Sequence, residues 1–311
     1  FTQVGKLTNK GKINLAAADA IGLYVTEGQA VNDSGATIDV NSNGKAMNVV
    51  GTGSITNSGT INLNAANAYG LYAQNGGTAT NSRTIKLNSS GTAYGMYGSG
   101  GAKLTNNSSI NGKAENAYGM YGSNMTNAGT ISITGTGASY GMRSTGGTVI
   151  NTGQIEVTAS QAYGISLTGA GTATNSGTIT VTGTGSDTSY GMYGSGGAKL
   201  INNGTINVNS TSGTAVGMYA TGSGSSITNT GNIVLNGVSI TTDYSGISSS
   251  DDPDTDATNC TSAGCGNFIK VENGATFYNN GQVSSASAMN FNLMSAANTG
   301  TIMLARGRSF E

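Results

Sequence analysis

The feature that most constrains this chain is a short motif that recurs along it at a nearly constant interval. The motif reads apolar-x-Asn-x-Gly-x-Ile-x-Leu/Val, as in Ile55-Thr-Asn57-Ser-Gly59-Thr-Ile61-Asn-Leu63. Between Asn57 and Asn229, consecutive copies are 21 to 27 residues apart. Repeats of this length indicate a solenoid or a propeller. Further copies centre on Asn9, Asn127, Asn151, Asn175, Asn202 and Asn229, and looser copies centre on Asn32, Asn81, Asn106, Asn279 and Asn298.

A second motif, Ala/Ser-Tyr-Gly-Leu/Met-Tyr, follows the Asn anchor 12 to 15 residues later. Both motifs contain short stretches of period-2 alternation bounded by Gly, Asn and Ser, and neither has the period of a helix. A repeat built only of strands and turns predicts one coil of a parallel β-helix. Copies of the second motif stand at residues 68–72, 93–97, 117–121 and 189–193, and degenerate copies stand at 46–50 and 288–292.

We therefore predict an all-β fold, a right-handed parallel β-helix (β-solenoid) of about 24 residues per coil and roughly 12 coils, with residues 1–311 as one unit. Strands of successive coils lie about 4.8 Å apart, so twelve anchors predict a rod about 55 to 60 Å long. A β-propeller is the alternative, but its blades need about 40 to 50 residues. Repeat motifs lie close to both Phe1 and Glu311, so we expect a segment of a longer chain.

Substitutions among the copies predict which side chains face the core. The tyrosine of Tyr-Gly is replaced by Ile21, Met47 or Val216 in other copies, so we expect this column inside and the following glycine outside. The apolar residue two positions after the tyrosine, such as Leu71, and the Ile and Leu after each anchor are also expected inside. The Asn anchors lie an even number of residues from these positions, so they are expected on the same inward side. We expect their amides to hydrogen-bond from coil to coil, since a buried polar group without a partner costs ~1–3 kcal/mol.

The last position of the second motif is expected on the surface, because it also accepts Arg143 and Ser166. Tyrosines one coil apart would form an aromatic stripe, and tyrosine gives a large contact area for glycans or proteins at low entropic cost. The alternative is that the rings only stack and stabilise the exposed sheet. The candidate binding residues are Tyr72, Tyr97 and Tyr121, in a column that also contains Tyr24, Val50, Tyr193 and Tyr219.

The repeat is interrupted between Asn229 and Asn279 by a stretch of different composition. Residues 248–266 hold the only Pro and the only two Cys, and we expect them to protrude as a loop closed by a Cys260–Cys265 disulfide, which implies an exported protein. The loop either binds a partner or is simply solvated. Binding of Ca²⁺ is disfavoured because the spacing is not that of an EF-hand. The candidate partner-binding carboxylates are Asp251, Asp252, Asp254 and Asp256.

Composition argues against several functions. The charged residues are 9% of the chain and its net charge is −1, so the scattered Lys and Arg do not form a phosphate-binding patch, and we expect no nucleic-acid partner. No apolar run approaches the roughly 18 residues of a membrane helix. The chain has no His, which excludes Ser-His-Asp and Cys-His catalysis and leaves two Cys unable to complete a zinc site. We expect no catalytic residues, no metal, no cofactor and no enzyme activity.

The two motifs together also resemble a known family. Thr-Asn-Ser-Gly-Thr-Ile at 56–61 and 174–179, alternating with Ala-Tyr-Gly-Met/Leu-Tyr, resembles passenger domains of large type V autotransporter adhesins, in particular the fusobacterial RadD-like family. The resemblance covers residues 1–240 strongly and 267–311 loosely. It implies export and anchoring by a C-terminal outer-membrane barrel outside this segment, display on the cell surface, and a role in virulence.

The expected function is therefore attachment, by a cell-surface adhesin segment, to a protein or glycan receptor on host or bacterial cells. A purely structural spacer stalk is the second possibility, and the insert at 248–266 favours the adhesin over it. A carbohydrate-active enzyme is the third, because parallel β-helices also carry polysaccharide lyases and hydrolases, which use clustered carboxylates. The Asp residues outside the insert are scattered over distant coils, which argues against this third function.

Overall fold

The computed structural model describes residues 5–236, 266–272, 276–279, 282–285 and 303–304. These residues form β-strands joined by turns, and every strand pairing among them is parallel. Each coil contains three strands, and each strand hydrogen-bonds to its counterpart in the coils before and after it. The strands therefore form three long sheets that run along the rod. We name them the Asn sheet, the Ile sheet and the Tyr sheet after the residues that repeat in each.

The strands are numbered in chain order. The Asn sheet contains β1 (Lys6–Asn9), β4 (Gln29–Asn32), β7 (Ser54–Asn57), β10 (Thr78–Asn81), β13 (Lys103–Asn106), β16 (Asn124–Asn127), β19 (Gly147–Asn151), β22 (Gly171–Asn175), β25 (Ala198–Asn202), β28 (Ser226–Asn229), β31 (Thr276–Asn279) and β33 (Met303–Leu304). The Ile sheet contains β2 (Lys12–Leu15), β5 (Thr37–Val40), β8 (Thr60–Leu63), β11 (Thr84–Asn88), β14 (Ser109–Ala114), β17 (Thr130–Gly135), β20 (Gln154–Ala159), β23 (Thr178–Gly183), β26 (Thr205–Ser210), β29 (Asn232–Asn236) and β32 (Gln282–Ser285). The Tyr sheet contains β3 (Ala20–Val25), β6 (Gly44–Val50), β9 (Ala68–Gln74), β12 (Thr92–Ser99), β15 (Asn116–Tyr121), β18 (Ala138–Ser144), β21 (Gln161–Leu167), β24 (Ser189–Ser195), β27 (Ala215–Thr221) and β30 (Gly266–Glu272).

The predicted parallel β-solenoid is confirmed, with about ten turns of about 24 residues in the described part of the chain. The Asn anchors pair in register from coil to coil, as in Asn57 with Asn81. The register also continues across the interruption of the repeat, because β31 pairs with β28 and places Asn279 beside Asn229. The strands before and after residues 237–265 therefore belong to one continuous solenoid. Residues 268–271 lie in β30.

The core is a narrow column between the three sheets. In the coil of residues 54–74, the buried side chains include Ile55 from the Asn sheet, Ile61 and Leu63 from the Ile sheet, and Leu71 and Ala73 from the Tyr sheet. All five have no exposed surface. Because each coil buries only a few large side chains, it depends on contact with its neighbours for stability. The predicted inward positions of the Ile sheet and of the Leu71 column are confirmed.

The Asn anchors form a continuous buried ladder, as predicted. In each step, the Nδ2 of one Asn donates to the Oδ1 of the Asn in the next coil at 2.7 to 2.9 Å. The same Nδ2 also donates to a backbone carbonyl of the adjoining turn, as from Asn127 to Gly129. The ladder thereby satisfies polar groups in a region that water cannot reach. Its members are Asn9, Asn32, Asn57, Asn81, Asn106, Asn127, Asn151, Asn175, Asn202 and Asn229.

The prediction for the Tyr-Gly column was wrong. Tyr69 and its equivalents lie on the outer surface, half-buried, and the following glycine faces the core. Ile21, which replaces the tyrosine in β3, is 39% exposed. Along β9, both Gly70 and Leu71 are buried, so the alternation of inward and outward residues is interrupted at this point. Two tyrosines three positions apart, Tyr69 and Tyr72, consequently lie on the same outer face.

Glycine is required in this column because of a contact across the core. A Cβ atom placed on Gly95 would lie 2.6 Å from the carbonyl oxygen of Gly119 in the next coil and 2.7 Å from Cγ2 of Ile110 in the Ile sheet. The equivalent glycines in neighbouring coils meet the equivalent carbonyl and isoleucine, as Gly119 does with Ile131. The isoleucine column thus occupies the space that a side chain in the glycine column would need.

The alignment of the degenerate copy in β6 was also wrong by two residues. The register pairs Lys45 with Tyr69, Met47 with Leu71 and Asn48 with Tyr72. Met47 therefore belongs to the inward column of Leu71 and not to the tyrosine column. Asn48, and not Val50, stands in the column of Tyr72. The shift places a lysine directly beside the first tyrosines of the outer face.

We predict that replacing Asn106 by Ala destabilises the rod by about 3 kcal/mol, because it removes the hydrogen bonds to Asn81 and Asn127 and leaves the Oδ1 of Asn127 without its donor in a buried site. The neighbouring Asn107 is exposed, so Asn107→Ala is the matched control and should change stability by less than about 0.5 kcal/mol. Urea unfolding followed by circular dichroism measures both. Equal effects of the two substitutions would contradict a stabilising role for the ladder.

We also predict that Gly95→Ala destabilises the protein by about 1 to 3 kcal/mol, because the added methyl collides with backbone and with Ile110 inside a packed core. Gly11→Ala is the control, since a Cβ at Gly11 meets no atom within 4 Å. The midpoint of urea unfolding should fall for the first variant and stay unchanged for the second. An unchanged midpoint for Gly95→Ala would show that the glycine does not face the core.

Candidate functional site

The outer face of the Tyr sheet carries two parallel ladders of tyrosine rings. They exist because two outward positions of the Tyr-sheet strands are three residues apart and each recurs in register one coil later. The first ladder contains Tyr69, Tyr94, Tyr118, Tyr140, Tyr163 and Tyr190. The second ladder contains Tyr72, Tyr97 and Tyr121, then Arg143 and Ser166, and then Tyr193 and Tyr219.

Rings within a ladder stack and rings between ladders meet edge to face. In the first ladder, successive ring centroids are 4.6 to 5.2 Å apart with planes within 18° of parallel. In the second ladder, Tyr72, Tyr97 and Tyr121 stack at 4.8 and 5.1 Å. Within one coil, Tyr69 and Tyr72 cross at 89° with centroids 5.0 Å apart. Such pairs stabilise by ~0.5–1.5 kcal/mol each beyond area burial, so the face is a rigid aromatic surface.

Arg143 takes the place of a tyrosine in the second ladder and contacts the rings of the first ladder. Its guanidinium lies 4.7 Å from the ring centroid of Tyr140 and 5.9 Å from that of Tyr118. One terminal nitrogen donates to the Tyr118 hydroxyl at 3.2 Å. The Arg143 Nε is buried and has no hydrogen-bond partner. Ser166 follows in the next coil and is buried, so two successive positions of the second ladder carry no ring before Tyr193.

A second cation lies at the start of the ladders. The Lys45 ammonium is 5.0 Å from the ring centroid of Tyr72 and 5.8 Å from that of Tyr69. Beside it, Asn48 occupies the second-ladder position of its coil and is buried, and its Oδ1 has no hydrogen-bond partner. Among the described residues, Asn48 Oδ1 and Arg143 Nε are the buried side-chain polar atoms without a partner. Both belong to the outer columns of the Tyr sheet.

The outer face carries positive charge and no negative charge over most of its length. Strands β3 to β27 of the Tyr sheet contain Lys45 and Arg143 and not a single Asp or Glu. The ion pair found in the described part of the rod joins Lys12 Nζ to Asp39 Oδ2 at 2.9 Å, and it lies on the Ile sheet. The cations of the tyrosine face are therefore neutralised by no carboxylate of their own sheet.

Burial raises the pKa of several tyrosines in the two ladders above its ordinary value. Desolvation, and then the neighbouring tyrosines, raise the pKa of Tyr94 from its ordinary value to about 12. Burial is also the main cause that raises the pKa of Tyr69, Tyr72 and Tyr97. At neutral pH the face thus presents phenol groups, which donate and accept hydrogen bonds, and not phenolates.

The structure brings together one of the two predicted sets of site residues. Tyr72, Tyr97 and Tyr121 lie on the surface and stack on one another, as predicted. The acidic residues Asp251, Asp252, Asp254 and Asp256 and the Cys260–Cys265 pair lie outside the described residues, and so does Asn298. Sequence reasoning missed the first ladder and Lys45, and it placed Arg143 on the surface without predicting its contacts with Tyr118 and Tyr140. The recurrence of Tyr-Gly indicates a column of equivalent tyrosines. Whether this column faces the core or the solvent could not be predicted from the alternation of residues along the strand.

Two further findings concern what the described residues contain. No three Asp, Glu, His or Cys side chains converge there in an arrangement that could hold a metal ion. In the same part of the chain, no helix has the length and apolar character needed to cross a lipid bilayer.

These observations define the protein as a parallel β-solenoid with a rigid aromatic outer face. The family model described as BigA third pectate lyase-like domain matches residues 2–84 and 155–252, which together make up more than half of the chain. The chain belongs to this family. A comparison with curated proteins and one with solved structures found no significant match.

We predict that the buried tyrosines ionise late during alkaline titration. The unfolded chain loses its tyrosine protons near pH 10, whereas Tyr94 in the folded rod retains its proton until about pH 12. In this window the folded state binds more protons, so stability falls as the pH rises from about 10 to about 12. Tyrosinate absorbance of the folded chain, compared with the same chain in urea, measures the shift. Coincident curves would contradict it.

Proposed function

We propose that this chain is a surface-displayed adhesin segment of a bacterial autotransporter, which attaches to a protein or glycan receptor on host or bacterial cells. The observation that carries the proposal is the outer face of the Tyr sheet within a domain of the BigA-related family. A rigid rod that repeats the same outward positions can present a contact surface over many coils. Tyrosine suits this role because it gives contact area and hydrogen bonding with little entropy to lose on binding.

The finer features of the protein are part of the same proposal. The solenoid is right-handed and continues to roughly 12 coils, since anchor motifs recur up to Asn298. Gly266 begins β30, so we expect the protruding acidic loop to comprise residues 248–265, closed by a Cys260–Cys265 disulfide in keeping with an exported protein anchored at the outer membrane. The sequence motifs favour relatives among the fusobacterial RadD-like adhesins, and a contribution to virulence follows from that relationship.

The proposed role is non-enzymatic. The chain has no His, and most of its carboxylates are scattered along the repeat, whereas polysaccharide-cleaving enzymes need acids and bases gathered on one face. The pectate lyase-like description of the family refers to a domain type, and strands β3 to β27 of the Tyr sheet contain no Asp or Glu that could act as an acid or a base. A spacer without its own binding site is disfavoured by the same face, because a spacer has no need of cations held over aromatic rings.

Beads coated with the purified chain test the proposal. They should bind to epithelial cells or to co-aggregating bacteria more strongly than albumin-coated beads, and free chain should compete with them. A second set carries the chain without residues 248–265, which separates binding by the insert from binding by the rod. Circular dichroism of this variant controls for folding. Beads that bind no better than albumin, on any cell tested, would favour the spacer.

A further inference from the structure

The outer face of the Tyr sheet has a block of six tyrosines with a cation at each end. The block comprises the tyrosine pairs of β9, β12 and β15, which stack on one another in both ladders. Lys45 lies over the rings at one end, and Arg143 lies over Tyr118 and Tyr140 at the other. From β6 to β18 there are four coil steps, so the two cations are about 19 Å apart at ~4.8 Å per coil.

Both ends of the block also hold a polar atom that the protein leaves unsatisfied. Asn48 Oδ1 lies in the coil of Lys45, and Arg143 Nε belongs to the other cation. Native proteins leave few buried polar groups without a partner, and such groups need an explanation when they occur. Here the two orphaned atoms of the described residues coincide with two of the places, in β6 and β18, where the tyrosine columns give way to a polar side chain.

Building on the proposed adhesive role, we infer that this block is a binding site for a linear acidic glycan that lies along the rod axis. Its carboxylate or sulfate groups pair with Lys45 and Arg143, and its sugar hydroxyls hydrogen-bond to the tyrosine hydroxyls between them. Charge complementarity supports this, because the strands that form the face contain two cations and no carboxylate although the chain as a whole has a net charge of −1.

The surface fits an extended glycan better than an acidic protein. The backbone groups of the block are engaged in pairing between coils, so a peptide cannot add to it as a further strand. The face is a stack of rings and not a pocket, whereas protein hot spots seat anchoring side chains in pockets. A linear glycan carries hydroxyl groups along its whole length, and on this face it meets a row of phenols that recur once per coil, about 4.8 Å apart.

The test uses the full chain and three immobilised probes: hyaluronan fragments as the linear acidic glycan, chitin oligosaccharides as the neutral one, and poly-glutamate as the acidic peptide. We expect hyaluronan to bind at least about tenfold more tightly than the chitin oligosaccharides, and the binding to weaken as salt is raised. Equal binding of acidic and neutral glycans would overturn the inference. Poly-glutamate binding as tight as that of hyaluronan would assign the face to acidic proteins instead.

Two double variants locate the site. Lys45→Gln/Arg143→Gln should weaken hyaluronan binding about tenfold, because it removes both cations that pair with the acidic groups of the glycan. Lys86→Gln/Lys103→Gln makes the same change in net charge with exposed lysines of the Ile and Asn sheets and should leave binding unchanged. Urea unfolding checks that both variants are folded. Equal losses for the two double variants would refute a site on the tyrosine face.

The cell assay separates this inference from the proposed function. If beads that carry Lys45→Gln/Arg143→Gln bind cells as well as beads with the unchanged chain, the adhesive role is supported and the glycan site is refuted. If the chain binds hyaluronan through Lys45 and Arg143 but its beads bind no cell, the glycan site is supported and the adhesin role is refuted. Loss of both kinds of binding in the same double variant, with the Lys86/Lys103 control intact, supports both.

Discussion

The structure depends on hydrogen bonding between one coil and the next. A single coil of about 24 residues encloses too few apolar side chains to be stable, and its strands have no partners within the same coil. The Asn ladder expresses this constraint most directly, because each buried amide donates to the next coil and accepts from the previous one. Removing one amide breaks a hydrogen bond to each of its two neighbours, so the ladder ties the stability of each coil to that of the adjacent coils.

The distance between successive coils, at which the backbone hydrogen bonds form, also organises the outer surface. Strands about 4.8 Å apart bring equivalent rings to the distance at which they stack, so any aromatic residue at an outward position becomes a ladder when it is repeated. Outward columns are free of the packing limits of the core, and they accept Lys45, Arg143 and Ser166 without a change of fold. Differences between coils therefore accumulate on the outside, where they can select a partner.

The candidate surface was only partly predictable from sequence. Tyr72, Tyr97 and Tyr121 were placed on the surface correctly, because Arg143 and Ser166 in the same column would not fit a narrow apolar core. Tyr69 was placed inside, because its column contains large apolar residues and strict alternation was assumed along the strand. Lys45 was missed altogether, because a two-residue error in the alignment of β6 put Met47 in its place. The role of the insert at 248–266 remains a prediction.

The sequence by itself determined the repeat, the parallel strand pairing, the Asn ladder and the inward Ile and Leu columns, because each follows from a residue type that recurs at one interval. The tertiary structure alone decided which way Tyr-Gly turns. Ile110, from a different sheet and the following coil, fills the space that a side chain at Gly95 would need, so only glycine fits at this inward position. Two successive residues therefore face the core and both tyrosine ladders lie outside. Alternation along a single strand does not predict this arrangement.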